Sequence, residues 1–108
     1  MIHPTIGRRV WYWPSDQDLG LSDAPPLSLM TASDRTQACD AGVCCVWGDR
    51  MVNLTVADHN GKMHSRCSVL LVQEGDSIPS GQSYATWMPY QATQAKKHAD
   101  APMVAQAA

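Results

Sequence analysis

Arginine and aromatic residues crowd the start of this chain, in the run Arg8-Arg9-Val10-Trp11-Tyr12-Trp13. An indole offers a flat apolar face with one polar N–H, and a guanidinium offers donors in a fork that fits phosphate or carboxylate. These residue types can stack on a nucleobase or dock a peptide. The sequence therefore predicts a set of ligand-binding residues: Arg8, Arg9, Trp11, Trp13, Trp47, Arg50, Trp87 and Tyr90. The alternative is that half or more of the rings fill a small core, with Trp11 or Trp13 as the exception.

The four cysteines could in principle ligate zinc. Structural zinc sites usually pair ligands about two to four residues apart in each half of the site. Cys39 and Cys44 come near that spacing, Cys67 stands alone, and adjacent Cys44 and Cys45 point to opposite faces of a strand. We therefore predict no metal and no cofactor, and we interpret the cysteines as small buried apolar side chains.

The histidines are the candidate general bases of an enzyme, and they do not form a catalytic pattern. His64 and Cys67 lie three residues apart, which on a strand places them on opposite faces and prevents a thiolate–imidazole pair. His59 lies in a predicted turn, where the usual state is simple solvation. The sequence predicts that the chain is not an enzyme.

Five β-strands are predicted to position these residues. Two turns, Gly48–Arg50 and Asp58–Gly61, separate three consecutive strands, and Asn60-Gly61 is the strongest hairpin signal in the chain. The predicted strands are Thr5–Trp13, Ala41–Trp47, Met51–Ala57, Met63–Val72 and Ser83–Met88. Residues 14–37 are predicted to form a long, acidic loop that is either functional or pinned to the barrel by Leu27, Leu29 and Met30.

Alternation assigns the faces of these strands. Val10 and Tyr12 share one face of the first strand, and Trp11 and Trp13 share the other. Two further sets are predicted to share a face: Ala41, Val43, Cys45 and Trp47 in the second strand, and Met63, Ser65, Cys67, Val69 and Leu71 in the fourth. Residues 69–72 are apolar on both faces, so we expect the long loop or another subunit to cover them, and we predict a homo-oligomer.

The layout predicts an all-β fold, a small SH3-like barrel of five strands in residues 1–90. An OB-type barrel is the alternative, but it usually has a helix between its third and fourth strands, where this chain has a tight turn. Residues 91–108 are predicted to be a weakly helical or disordered tail, since Pro102 interrupts them and they have little apolar stripe.

The composition of this 108-residue chain argues against two classes of partner, nucleic acids and membranes. Its formal charge of −2 and isoelectric point near 6 give no basic footprint for nucleic acid. No apolar run approaches the roughly 18 residues of a membrane span, and the first residues lack the order of a signal peptide. We expect a cytoplasmic protein.

Three short motifs, taken in order, carry a resemblance. They are Gly7-Arg8-Arg9-Val10-Trp11-Tyr12, then Val52-Asn53-Leu54-Thr55-Val56 before a Gly turn, then Trp87-Met88-Pro89. This order resembles a group of short hypothetical proteins of tailed bacteriophages and prophages with the pattern Gly-Arg-x-Val-x-Tyr, Val-Asn-Leu-x-Val and Trp-x-Pro. The chain departs from that pattern at Arg9, where an aliphatic residue is common, and in its longer 14–37 loop.

The resemblance implies a phage context, with the host bacterial cytoplasm as the place of action, and no mechanism. Two hypotheses follow from it. One is an accessory or host-defence-countering protein that binds a host protein or a small nucleotide-type ligand. The other is a virion component, such as a head–tail or tail-associated adaptor. The sequence favours the first, because it offers no long arm or patterned assembly surface apart from an Ala-rich tail.

Overall fold

The computed structural model of the chain describes residues 1–23, 27–32, 36–91 and 93–94. Five strands form a closed barrel in the order of the sequence. Neighbouring strands pair antiparallel except β4 and β5, which are parallel. The strands are β1 (Arg9–Trp13), β2 (Cys39–Gly48), β3 (Met51–Ala57), β4 (Met63–Val72) and β5 (Tyr84–Thr86). The prediction of a small all-β, SH3-like barrel of five strands is confirmed.

The strand boundaries follow the local backbone chemistry. β3 and β4 have the predicted bounds, because both are flanked by turns, and Gly61 takes the positive φ of 84° that the second turn requires. β1 begins at Arg9 rather than Thr5, since Gly7 turns the backbone with a φ of 93°. Residues 89–91 and 93–94 are helical, and the rest of the predicted tail lies outside the described residues.

The core lies inside the barrel and is built from the inward-facing positions of all five strands. Val10 and Tyr12 are fully buried, which confirms the predicted faces of β1. Met30 of the long loop joins the core, and Leu19 packs against it. The loop is therefore pinned to the barrel, although Leu27 and Leu29, which the sequence also offered for this, are exposed.

An irregularity in β4 changes which of its residues face inward. Ser68 has a φ of 53°, and the pairing with β3 jumps from Leu54–Arg66 to Val52–Val69. A bulge of this kind adds one residue to one strand and shifts its alternation. Consequently the predicted shared face of β4 is wrong: Arg66 and Val69 both lie inside the barrel, whereas Cys67 is exposed.

Two irregularities in β2 have the same effect. The pairing with β3 shifts between Val43 and Cys45 and again between Val46 and Gly48. Val43 faces the core, but Trp47 is 64% exposed, so the predicted common face of these residues is wrong. The prediction of buried cysteines is also wrong for most of them: Cys39 is buried, Cys45 is half-buried, and Cys44 and Cys67 are exposed.

Residues 69–72, which we expected the long loop or another subunit to cover, are mostly buried within the chain itself. Val69, Leu71 and Val72 are buried, and Leu70 is half-buried. Leu70 lies opposite Tyr84 of β5, and Leu71 lies opposite the buried Ala85. Within the described part of the chain, no helix has the length and apolar character to cross a membrane.

The side chain of Asn53 hydrogen-bonds to both irregular strands, β2 and β4. Its replacement therefore tests how much these contacts stabilise the barrel. Its Oδ1 accepts hydrogen bonds from Trp47 Nε1 at 2.9 Å and from the Ser68 backbone N–H at 2.7 Å. We expect Asn53→Ala to lower the free energy of unfolding by about 1–2 kcal/mol, because two donors lose their acceptor. Urea unfolding followed by Trp fluorescence measures this. A loss no larger than that of Thr55→Ala, a control on the same strand, would contradict the role of Asn53.

Candidate functional site

The outward side of β1 and β5 carries three neighbouring aromatic rings, of which Trp11 is exposed and Trp13 and Tyr84 are half-buried. Trp11 lies opposite Thr86, and Trp13 lies opposite Tyr84. The rings of Trp11 and Trp13 meet edge to face, with centroids 6.1 Å apart, while Trp13 and Tyr84 stack at 6.2 Å with 20° between their planes. Trp13 Nε1 donates to Thr86 Oγ1 at 3.1 Å. We call Trp11, Trp13, Tyr84 and Thr86 the Trp–Tyr face.

The hydrogen bond of Trp13 and the ring contacts hold this face in place, so its aromatic surfaces are pre-positioned. Trp11 is 37% exposed even though the rings shield one another. Large, rigid aromatic side chains are enriched in protein interfaces, where they bury much area with little loss of entropy. The Trp–Tyr face can therefore bind an apolar or aromatic group of a partner.

Most candidate arginines are neutralised by a carboxylate of the chain itself. Arg9 lies across Gly42 on β2, and its Nε and Nη2 donate to the carboxylate of Asp40. Arg50 makes the same forked contact with Asp76, which raises the pKa of the guanidinium and lowers that of the Asp76 carboxyl. Arg8 is exposed and has no ion pair with the described residues.

The remaining predicted site residues are dispersed. Trp87 is buried in the core, where its Nε1 donates to Gln73 Oε1 at 3.2 Å. Trp47 is exposed near the end of β2, whereas the positions of β2 that pair with β1 are residues 39–42, at its start. Tyr90 is 73% exposed in the short helical segment, which the Gln91 side chain ties to the Arg9 carbonyl. The structure thus brings together Arg9, Trp11 and Trp13 of the predicted set.

Tyr84 is a member of the face that sequence reasoning missed. Its alternation with the buried Ala85 could have indicated an outward ring, but the pairing of β5 with β1 was needed to place it beside Trp13. A groove of about 410 Å³ opens next to these two rings. Its lining is Trp13, Pro14, Ser15, Asp16, Pro79, Gly81, Gln82 and Tyr84.

A second groove lies along β4. It has a volume of about 610 Å³, and its lining includes Leu27 of the long loop together with Met51, Leu70 and the bulge at residues 67–68. The guanidinium of Arg66 contributes to its lining, although that side chain is 8% exposed and is engaged elsewhere. This groove is therefore mainly a junction between the loop and the barrel.

A buried ion pair fastens the long loop to β4. Arg66 Nε donates to Asp18 Oδ1 at 2.7 Å, and both side chains are almost wholly buried. Tyr12 donates its hydroxyl to Asp18 Oδ2 at 2.6 Å, and burial together with this bond raises the pKa of Tyr12. The Ser15 backbone N–H also donates to Asp18. The carboxylate is thus surrounded by donors, which is the condition for a stable buried charge.

A second buried pair joins the turn after β3 to β4. Asp58 Oδ2 lies 2.8 Å from His64 Nε2, and the Asp58 carboxylate accepts backbone N–H groups of Thr31, Asn60 and Lys62. Burial opposes ionisation of Asp58, but the bonds from His64 and the three backbone groups outweigh it and lower the pKa of the carboxyl. The pair therefore fixes the turn and one end of the loop.

Ser28 completes a hydroxyl–imidazole–carboxylate chain, because its Oγ hydrogen-bonds His64 Nδ1. These are the residue types of a serine nucleophile, a base and an orienting acid. Acyl transfer also needs donors aimed at the oxyanion beside the hydroxyl. The Arg66 guanidinium, which reaches Ser28, is already bonded to Asp18, to the Ser65 carbonyl and to the Ser28 carbonyl. The arrangement is suited to anchoring the loop.

Sequence reasoning did not identify this buried polar cluster of Tyr12, Asp18, Ser28, Asp58, His64 and Arg66. Within the described residues, every buried side-chain nitrogen or oxygen has a hydrogen-bond partner. In those same residues, no three His, Cys, Asp or Glu side chains converge as metal ligands would. Burial raises the pKa of the Cys39 thiol, and the nearby Asp58 and Asp18 raise it further. Cys39 is thus an inert core residue.

The fold and these contacts define a small SH3-like barrel with a rigid aromatic face and a loop held by buried ion pairs. Comparison with known proteins adds no closer assignment: no family model matches the chain, and no significant similarity to a curated protein or to a solved structure was found.

Proposed function

We propose that the chain is a phage-encoded accessory protein that binds a host protein in the bacterial cytoplasm, in a host-defence-countering or related role. The observation that supports this most is the Trp–Tyr face, where two tryptophans and a tyrosine are pre-positioned on the outside of a barrel that does not need them for its core. The phage context rests on the sequence resemblance. On this proposal the chain is not an enzyme, and the Ser28–His64–Asp58 contacts are structural.

The charge arrangement favours a protein over a nucleotide-type ligand. A phosphate needs donors that are free to bind it. Of the three predicted arginines, Arg9 and Arg50 are occupied by Asp40 and Asp76, which leaves Arg8 as the one without an ion pair to the described residues. We therefore expect little or no rise in melting temperature with mono-, di- or cyclic nucleotides near millimolar concentration, because a ligand that does not bind the native state cannot stabilise it.

We also propose that the chain forms a homo-oligomer through a different surface. Three apolar side chains stand exposed at the turn between β2 and β3: Val46, Trp47 and Met51. Exposed apolar groups that adjoin one another commonly mark an interface. Light scattering at micromolar concentration tests this, and a mass close to that of one 11.8 kDa chain would contradict it.

The binding function predicts that Trp11→Ala weakens the host-protein complex about 30-fold or more. An interface residue of the dominant kind contributes about 2 kcal/mol or more, and tryptophan is the commonest residue in that role. The host partner is first identified with a photo-crosslinking amino acid placed at position 11 in infected cells. The purified partner is then titrated by calorimetry against the wild type and the variant.

Met63→Ala is the control, since Met63 is an exposed apolar residue outside both the Trp–Tyr face and the proposed oligomer surface. We expect this variant to keep the partner affinity within about threefold. Three results would overturn the proposal: crosslinking at position 11 no stronger than at position 63, equal losses in the two variants, or recovery of the chain from purified virions, which would favour the virion-component hypothesis.

A further inference from the structure

The groove along β4, which Leu27, Met51 and Leu70 help to line, lies beside the exposed Trp47. We propose that two copies of the chain associate by reciprocal insertion, in which Trp47 of each copy enters the β4 groove of the other. This inference rests on the proposed homo-oligomer and specifies how its subunits meet. The volume of the groove, about 610 Å³, falls in the range of sites that enclose a small ligand, so one indole ring fits.

Trp47 is exposed and yet held in one orientation. The residue is 64% exposed, and its Nε1 donates to Asn53 Oδ1 at 2.9 Å. The same oxygen accepts the backbone N–H of Ser68, which lines the groove. A side chain whose position is already fixed loses little conformational entropy when a partner covers it. Trp47 and the groove are therefore neighbouring, pre-positioned parts of one surface.

The lining of the groove suits a neutral aromatic ring. Its larger apolar side chains come from the loop, β3 and β4, namely Leu27, Met51 and Leu70. Among the described residues that line it, Arg66 is the charged one, and Asp18 neutralises it. An indole buries much apolar area, and a methionine sulfur makes favourable contacts with aromatic rings. The groove therefore favours an uncharged ring over a charged or phosphorylated ligand.

The order of the strands makes this surface self-complementary. β3 lies between β2, which carries Trp47, and β4, which forms the groove. Met51 of β3 is exposed and pairs on one side with Gly48, next to Trp47, and on the other side with Leu70. A two-fold axis that runs along β3 between two facing copies therefore sets Trp47 of each copy opposite the groove of the other. Such an interface uses one patch twice and closes as a dimer.

The first test compares the dimerisation constants of the wild type and Trp47→Ala by sedimentation and light scattering. We expect the wild type at micromolar concentration to have about twice the mass of one 11.8 kDa chain. Trp47→Ala should dimerise about 1,000-fold more weakly, because a dominant interface residue contributes about 30-fold and the dimer contains it twice. Tyr90→Ala removes an exposed aromatic ring outside this surface and should stay within about threefold of the wild type.

Cys67→Glu tests the groove. Cys67 is exposed in the lining, so this substitution places a charge where the indole would lie and leaves the core unchanged. We expect it to weaken dimerisation about 100-fold or more, since a buried carboxylate without a partner is strongly unfavourable. Met63→Glu is the control, because Met63 is exposed on the same strand and lies outside the lining, and it should stay within about threefold of the wild type.

A mixture of the two variants separates reciprocal insertion from loss of folding. Trp47→Ala keeps an intact groove and Cys67→Glu keeps an intact tryptophan, so a mixed dimer retains one of the two contacts. We expect the mixed dimer to form about 30-fold more tightly than the dimer of Trp47→Ala alone. Misfolded variants would show no such gain, and a mixture that associates no better than the separate variants would overturn the inference.

The homo-oligomer and the insertion can fail separately. A wild-type mass close to that of one 11.8 kDa chain at micromolar concentration would contradict both. If the wild type is a dimer that Trp47→Ala and Cys67→Glu leave within about threefold, the homo-oligomer stands and the insertion of Trp47 is wrong.

Discussion

Asp18→Ala should be one of the most damaging single substitutions in this chain, with a loss of about 3–5 kcal/mol in the free energy of unfolding. Removing one partner of a buried ion pair leaves the other charge without compensation in an apolar environment. Here the stranded charge is Arg66, and Tyr12 loses the acceptor of its buried hydroxyl at the same time. Small domains have a total stability of about 5–15 kcal/mol, so the variant should be partly unfolded or only marginally stable at 37 °C.

Urea unfolding of the Asp18→Ala variant, followed by circular dichroism, gives the magnitude. Asp23→Ala is the control, because Asp23 is an exposed acid in the same loop, and we expect a change of about 0.5 kcal/mol or less. The double variant Asp18→Leu with Arg66→Met removes both charges and should recover much of the loss. If Asp23→Ala were as damaging as Asp18→Ala, or if the double variant were worse than Asp18→Ala, the buried pair would not be the cause.

The same pair shows why the long loop was only partly predictable. Asp18 and Arg66 are separated by 48 residues, and nothing in the local sequence connects them. The turn residues and alternating apolar residues, by contrast, act over a few positions, so β3 and β4 could be predicted with their bounds. His64 and Arg66 occupy inward positions in the alternation of β4. A charged side chain is rarely buried unless it is paired, and the sequence does not show that Asp58 and Asp18 are their partners.

Bulges account for most of the errors in the predicted faces. The predicted faces assume strict alternation through Ser68 and through residues 43–48, and an irregularity reverses the faces of the residues that follow it. That is why Trp47 is exposed, and why Val69 is buried although Cys67, before the bulge, is exposed. Alternation was correct in β1, whose pairings show no register shift, and it placed Trp11 and Trp13 together on the face opposite Val10 and Tyr12.

The buried polar cluster and the exposed aromatic face are physically connected. Tyr12, whose hydroxyl binds Asp18, lies between Trp11 and Trp13 in β1. Ser15 also binds Asp18, and Ser15 and Asp16 line the groove beside Trp13. The ion pair thus fixes the backbone of the segment that carries Trp11 and Trp13 and lines the adjoining groove. A rigid support of this kind lowers the entropy lost when a partner binds.

Stability should fall as the pH drops below about 4, and Asp58 should account for a large part of the fall. The hydrogen bonds to Asp58 lower the pKa of its carboxyl in the folded state below the unfolded value of 3.8. The unfolded chain therefore takes up a proton first as the pH falls, and the contribution of Asp58, complete above that value, is lost progressively toward the lower folded pKa.

Comparison of the wild type with Asp58→Asn across pH isolates this contribution. At pH 7 we expect the variant to be less stable by about 2–4 kcal/mol, because a charged acceptor of the His64 ring and of three backbone N–H groups is replaced by a neutral one. The difference between the two proteins should shrink as the pH falls from 5 to 2.5, because Asp58 of the unfolded wild type takes up a proton in this range, whereas the folded carboxyl, with its lowered pKa, does so only at lower pH. Asp23→Asn, in which an exposed carboxylate is neutralised, should differ from the wild type by about the same small amount at every pH. Urea unfolding at half-unit pH steps measures both differences, and an Asp58→Asn difference that stays constant down to pH 2.5 would show that the ionised carboxylate is not what holds this turn.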